Sequence, residues 1–130
     1  MSTYKSSVSF NARREATRNI LNKYPDKCPI YLTFDSKLKL KQRAGTNFNK
    51  YIINNNLTMG QYMQVLRKRV ELGDKMSLTL FINIYKDDKL INTILPTMSL
   101  TVEEAYSQYK DEDGFLYMNL MAENTFGSTF

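Results

Sequence analysis

One long helix between two groups of strands is the feature that most constrains the fold of this chain. Thr58-Met59-Gly60-Gln61 matches a capping box, in which the threonine hydroxyl and the glutamine amide satisfy exposed backbone N–H groups at a helix start. We predict that this helix runs to about Leu72 and that Gly73 ends it. The apolar residues at inward helical spacing are Tyr62, Val65, Leu66 and Val70.

Segments with strand composition lie on both sides of this helix, at residues 28–34, 48–53, 77–83 and 115–122. For the basic segment of residues 35–47 we predict a loop. The alternative is a ribbon at the edge of the sheet. We predict that residues 84–100 form a long connection, which can include a short strand at Leu90-Ile91.

Two further helices are predicted. Residues 10–23 have apolar residues at helical spacing, and the three arginines of this segment, Arg13 among them, are placed away from the apolar face. A second capping box, Thr101-Val102-Glu103-Glu104, begins a short helix that runs to about residue 109. Residues 1–9 are polar and predict irregular structure or a short helix.

The resulting order is helix, strand, strand, helix, strand, short helix, strand. One helix crossing between two hairpins fits an α+β fold, the ubiquitin-like β-grasp roll, here with an N-terminal helical extension over residues 1–25. The competing ferredoxin-like sandwich needs a longer second helix than residues 101–109 supply. We therefore expect a single ubiquitin-like domain from residue 26 to residue 127.

Composition argues against catalysis by this chain. Histidine is absent, which removes Ser-His-Asp and Cys-His nucleophilic machinery and most zinc sites. Carboxylate pairs occur, but none lies in an apolar stretch that would raise a pKa. The single cysteine, Cys28, suits a reducing compartment, and no apolar run approaches the ~20 residues that span a bilayer. We expect a cytoplasmic protein that is not an enzyme and has no cofactor.

Charge is distributed unevenly along the chain. Residues 1–50 carry 11 basic and 3 acidic side chains, whereas residues 101–130 carry 1 basic and 6 acidic ones. This asymmetry indicates either attraction of acidic peptides or anionic membranes to one face, or a charged surface that is merely solvated. The triplet Arg67-Lys68-Arg69 is too short to indicate a specific nucleic-acid partner.

The end of the chain combines a turn, a strand and an irregular tail. Asp111-Glu112-Asp113-Gly114 predicts a solvated turn before the last strand, and residues 123–130 lose all periodicity. This layout is typical of a protein that is conjugated through its C-terminus. The segments 110–117 and 123–127 resemble the end of the GABARAP and light-chain-3 group of ubiquitin-like autophagy modifiers.

The resemblance extends over nearly the whole chain. Lys23-Tyr24-Pro25-Asp26-Lys27 resembles the turn into the family's first strand, Lys50-Tyr51-Ile52-Ile53 its second strand, and residues 57–70 its crossover helix. The loops at residues 35–47 and 84–100 are longer than is typical of the family. At three further positions the family usually has Glu, Lys and Pro, where this chain has Ala16, Phe48 and Asn54.

The resemblance implies a modifier that matures at its C-terminus. A processing cysteine protease would recognise Phe126 and Gly127 and remove residues 128–130, and activating and conjugating enzymes would join Gly127 to phosphatidylethanolamine. The protein would then be cytoplasmic, and on autophagosome or vacuolar membranes when lipidated. The alternative is an unconjugated ubiquitin-like peptide-binding adaptor in another membrane-trafficking pathway.

The resemblance also implies a groove that binds cargo receptors through a short motif, an aromatic residue followed three positions later by an aliphatic one. The residues that carry over to the aromatic pocket are Ile20, Pro29, Tyr31, Lys50, Ile52 and Phe115. Those that carry over to the aliphatic pocket are Tyr51, Ile53, Leu57, Tyr62 and Val65, with Arg69 nearby for acidic peptide groups.

Overall fold

Two N-terminal helices precede a five-stranded sheet in the computed structural model, which describes residues 3–40, 48–71 and 76–124. The helices are α1 (Tyr4–Ser7), α2 (Phe10–Lys23), α3 (Met59–Arg67) and α4 (Val102–Tyr109). The strands are β1 (Lys27–Phe34), β2 (Lys39–Leu40), β3 (Phe48–Asn54), β4 (Val70–Glu71), β5 (Met76–Lys86), β6 (Lys89–Ile94) and β7 (Leu116–Asn124).

The sheet has the strand order β3-β1-β7-β5-β6, and the short strands β2 and β4 form a separate ribbon. Its centre is the parallel pair of β1 and β7. All other neighbours are antiparallel, namely β1 with β3, β5 with β7 and β5 with β6. This mixed sheet, with helices preceding it and crossing it, confirms the predicted α+β class with helices at the N-terminus.

Helices cover both faces of the sheet. On one face α3 and α4 bury the main core against β1, β5 and β7. On the other face α2 packs through Ala16 and Ile20 on a smaller aromatic cluster, which consists of Tyr4, Tyr31, Phe115 and Tyr117. The alternation of side chains along β1 separates the two cores, because Ile30 and Leu32 face the main core while Tyr31 faces the aromatic cluster.

The buried side of α2 carries a charge, so the sequence-based placement of Arg13 away from the packed face is wrong. Arg13 is only 1% exposed, and its guanidinium donates hydrogen bonds to the carboxylates of Asp113 at 2.7 Å and Asp88 at 2.8 Å. Burial alone would lower the pKa of Arg13, but these two carboxylates outweigh it and raise the pKa. One turn later, Thr17 donates to the backbone carbonyl of Asp113 at 2.6 Å.

Two of the three carboxylates in the acidic turn before β7 are packed into the protein, so the predicted exposure to solvent is wrong for Asp111 and Asp113 and holds for Glu112. Asp113 is fully buried and accepts hydrogen bonds from the Phe115 backbone N–H and the Tyr117 hydroxyl, in addition to Arg13. Asp111 accepts from Lys5 Nζ at 3.0 Å, and burial raises the pKa of its carboxyl. These carboxylates are buried because their cationic partners come from the opposite end of the chain, a hundred residues away in the case of Arg13.

Element boundaries follow the predictions closely except in three places. The strand β7 continues through Glu123 and Asn124, which were expected to belong to the irregular tail. The helix α3 ends at Arg67, before the expected stop, because Val70 and Glu71 pair with Leu40 and Lys39 in the ribbon. The predicted connection after β5 contains the strand β6, which includes the expected Leu90-Ile91 pair but is six residues long and returns along β5 as a hairpin. Two residues with positive φ, Asp87 at 51° and Asp88 at 63°, form its tip.

Candidate peptide-binding site

The strand β3 lies at one edge of the five-stranded sheet. An edge strand offers backbone N–H and C=O groups to an added strand, and its side chains alternate between the two faces of the sheet. In β3, Lys50 and Ile52 therefore lie on one face, and Tyr51 and Ile53 lie on the other. The two predicted pockets accordingly flank the same edge strand on opposite sides.

The residues predicted for the aromatic pocket lie on the face covered by α2. The register of β1 and β3 pairs Tyr31 with Lys50 and Pro29 with Ile52, which gives two cross-strand pairs one step apart on this face. The Tyr31 and Phe115 rings meet edge to face, with centroids 5.9 Å apart. Ile20 packs against the aromatic cluster to which both rings belong, whereas Ile52 is 40% exposed. The structure thus combines a buried aromatic floor with an exposed aliphatic rim.

The residues predicted for the aliphatic pocket lie between β3 and α3. Tyr51, Ile53 and Leu57 are half-buried against the main core, to which the fully covered Tyr62 belongs. Val65 is 39% exposed, so its predicted inward position is wrong, and its side chain is accessible at the surface as a contact residue must be. Three half-buried apolar side chains and one exposed one give a shallow apolar surface beside the edge strand.

Positively charged side chains lie beside the residues predicted for both pockets. Arg69, beyond the end of α3, places its guanidinium carbon 5.5 Å from the Tyr51 ring centroid, in cation–π contact. Lys50 is exposed on the aromatic side. An acidic peptide lying along β3 would find positive charge beside each pocket.

The site contains one residue that sequence reasoning missed. Tyr4, in the single turn of α1, stacks on Tyr31 with ring centroids 4.2 Å apart and an interplanar angle of 15°. It also meets Phe115 edge to face at 5.6 Å, and Lys50 Nζ lies 5.2 Å from its ring centroid. No periodicity marks a lone aromatic residue in a polar segment, although Thr3 and Ser6 carry the helix-capping signal that predicts α1.

The residues predicted for cleavage and conjugation, Phe126 and Gly127, lie outside the described residues, which end at Asn124 in β7. None of the helices in the described ranges is long and apolar enough to cross a membrane. The cysteine, Cys28, is buried, and burial is the main cause that raises its pKa to about 11. Both the burial and the raised pKa disfavour the thiolate form, which is the reactive one.

Comparison with known proteins identifies relatives over the full length of the chain. A family model described as autophagy protein Atg8 ubiquitin like matches residues 12–127. Autophagy-related protein 8 of Schizosaccharomyces pombe is 33% identical over 129 residues, which cover 99% of this chain and 97% of that protein. Autophagy-related protein 8a of Arabidopsis thaliana is 36% identical over 127 residues, 98% of this chain and 94% of that protein. The crystal structure of Trypanosoma brucei ATG8 superposes with a TM-score of 0.69 at 33% identity, and the match covers 98% of this chain and 99% of that one.

Proposed function

This chain belongs to the Atg8 family of ubiquitin-like autophagy modifiers, and we propose that it acts through conjugation of Gly127 to phosphatidylethanolamine. The observation that carries this proposal is that the match to the family model ends at Gly127, three residues before the chain end. A processing cysteine protease would remove Ser128-Thr129-Phe130, and activating and conjugating enzymes would transfer the new carboxylate to the lipid amine.

Glycine suits the end of such a tail. It has no Cβ, so an extended chain that ends in glycine can enter a narrow catalytic groove without a steric clash. The last described strand, β7, ends only three residues before Gly127. The attached lipid would supply the membrane anchor and move the protein from the cytoplasm to the autophagosome or vacuolar membrane.

The test uses the full-length protein and a processing protease of the Atg8 pathway. Intact mass should show loss of residues 128–130, and the product should become lipidated on vesicles that contain phosphatidylethanolamine when the activating and conjugating enzymes are added. Gly127→Ala should prevent lipidation without changing the thermal unfolding of the domain, whereas Ser128→Ala, beyond the cleaved bond, should behave as the wild type. Retention of the tripeptide under all conditions would support an unconjugated adaptor instead.

We further propose that cargo receptors bind along β3 through an aromatic-x-x-aliphatic motif. The support is the edge position of β3, its two flanking apolar groups and the cations Lys50 and Arg69 beside them. The peptide backbone would pair with the free edge of β3, and its two anchors would lie on opposite faces of the strand.

The exposed residues of the groove allow a test that leaves the core intact. Ile52→Ala and Val65→Ala should each weaken binding of a synthetic acidic peptide with Phe and Leu anchors by about four- to fifteenfold, since each removes one or two buried methylene equivalents from the complex. Leu90→Ala, an exposed apolar change in β6 at the far edge of the sheet, is the matched control and should leave the affinity unchanged. Equal effects of all three variants would contradict a groove at β3.

A further inference from the structure

We infer that Tyr4 occupies the aromatic half of the β3 groove in the free protein, so that the aromatic anchor of a peptide must displace α1 in order to bind. This inference rests on the proposed peptide groove and concerns its regulation. Tyr4 would then compete with the aromatic anchor of the peptide for the same pocket. This competition sets the apparent affinity for the peptide and the size of the aromatic side chain that the pocket accepts.

The contacts of Tyr4 are those that an aromatic anchor would make. Its ring stacks on Tyr31, meets Phe115 edge to face and lies under the Lys50 ammonium. Stacked and edge-to-face pairs at these separations are favourable, as is a cation above a ring face. Tyr4 is itself only 7% exposed, and its ring occupies the face of Tyr31 on which it stacks, so an anchor that stacks on this face must displace Tyr4.

The segment that carries Tyr4 is short and is held mainly by side chains. The helix α1 has four residues, too few to be stable in isolation, and Thr3 and Ser6 close its capping box. Its next residue, Lys5, donates to Asp88 at 2.8 Å and to Asp111 at 3.0 Å. Release of α1 therefore requires the loss of the Tyr4 ring contacts and the Lys5 ion pairs, and leaves the strands and α3 in place.

The fit of Tyr4 is imperfect in one respect, which makes displacement feasible. Its hydroxyl is buried and makes no hydrogen bond with any described residue. A buried hydroxyl without a partner is unfavourable compared with the same group in water. A peptide phenylalanine would make the ring contacts without burying a hydroxyl, and displaced Tyr4 would regain water as its partner.

Two substitutions at Tyr4 should have opposite effects on peptide affinity. Tyr4→Ala should tighten binding of the Phe- and Leu-anchored peptide by about tenfold, the factor expected if the pocket is open about a tenth of the time. Tyr4→Phe keeps the ring and removes the unpaired hydroxyl, so it should stabilise the closed state and weaken binding by roughly threefold or more. A peptide with Ala in place of its aromatic anchor should bind all three proteins equally, because it does not compete with Tyr4.

Two substitutions at the tip of the β5–β6 hairpin, a test and its control, leave Tyr4 unchanged. Asp88→Asn removes a carboxylate that contacts Lys5, so it should loosen α1 and tighten peptide binding by roughly twofold or more. Asp87→Asn is the control, because Asp87 occupies the same turn and is not one of the carboxylates that pair with Lys5 or Arg13 in the described residues. Thermal unfolding of each variant checks that the domain remains folded under the conditions of the titration.

Hydrogen exchange gives a readout that is independent of affinity. The Val8 amide donates to the Tyr4 carbonyl at 3.0 Å, so displacement of α1 should speed its exchange when peptide is saturating. If the wild type binds the peptide and Tyr4→Ala neither tightens binding nor changes this exchange, the inference about Tyr4 is wrong while the groove stands. If no folded variant binds the peptide at all, the proposed groove itself is wrong.

Discussion

The buried ion pair between Arg13 and Asp113 should be one of the most sensitive points of the fold. We consider Arg13→Met, which keeps an unbranched apolar side chain in the space that the arginine stem fills and removes the guanidinium. Asp113 is fully buried, and this substitution takes away its closest cation, which lies at 2.7 Å. The Lys5 ammonium, at 4.0 Å, and the hydrogen bonds from Phe115 and Tyr117 remain.

The expected cost follows from the uncompensated charge. Removing one partner of a buried ion pair typically destabilises a protein by about 3–5 kcal/mol. Because the remaining donors still bind Asp113, we expect the lower part of this range, about 3 kcal/mol. For a domain of this size, each kcal/mol lowers Tm by roughly 3–4 °C, so the variant should melt about 10 °C below the wild type.

The measurement is urea and thermal unfolding of three proteins besides the wild type. Arg14→Met is the matched control one position along α2, because Arg14 is exposed and donates to the Glu112 carbonyl, so its loss should cost no more than about 1 kcal/mol. Adding Asp113→Asn to Arg13→Met removes the unpaired charge and should recover part of the stability, a coupling of about 0.5–3 kcal/mol. Equal destabilisation by Arg13→Met and Arg14→Met, or no recovery in the double variant, would refute this reasoning.

Three further predictions concern single positions. Gly114→Ala should destabilise the domain by about 2–5 kcal/mol, because φ is 96° there and a Cβ would overlap the Thr17 hydroxyl. The measurement is urea unfolding, and a decrease in the free energy of unfolding of less than about 0.5 kcal/mol would contradict this prediction. Arg69→Ala should weaken an acidic peptide by only ~0.2–1 kcal/mol and flatten the salt dependence measured by calorimetry, whereas complete loss of binding with the fold intact would show another role. Ala16 cannot accept a hydrogen bond from an indole N–H, so matched Trp and Phe peptides should bind equally or favour Phe; Trp binding tenfold tighter in the same titration would contradict this.

Much of the fold could be predicted because local signals and tertiary structure agree. Caps at Thr58 and Thr101 mark the starts of α3 and α4, and in each the side-chain oxygen accepts the expected backbone hydrogen bond. The strands β1 and β3 follow the pattern of apolar and β-branched residues. The end of α3 was harder to predict, because pairing of Val70 and Glu71 in a ribbon competes with continuation of the helix.

The polar part of the structure could not be predicted in this way. A turn with three carboxylates is exposed in most sequences, and only the position of Lys5 and Arg13 in space shows why Asp111 and Asp113 are buried here. The residues of the candidate site likewise include some that could be predicted from the sequence and one that could not. The alternating residues of β3 follow from strand geometry, whereas Tyr4 reaches Tyr31 only through the folded path of the first helices.

The hairpin of β5 and β6 connects these unpredicted features. The sequence suggests a long connection after β5 that can hold a short strand at Leu90-Ile91. The chain forms a longer strand pair whose tip brings Asp88 to both N-terminal helices, where it accepts from Lys5 of α1 and Arg13 of α2. These hydrogen bonds lower the pKa of Asp88, that from Arg13 most, because they stabilise the charged form of the carboxylate. Lys5 adjoins Tyr4, and the hairpin tip thereby helps to fix the residue that fills the aromatic side of the groove. A shorter hairpin that failed to reach Lys5 would leave it with Asp111 as its nearest carboxylate, so the length of this hairpin and the closure of the groove by Tyr4 are expected to vary together.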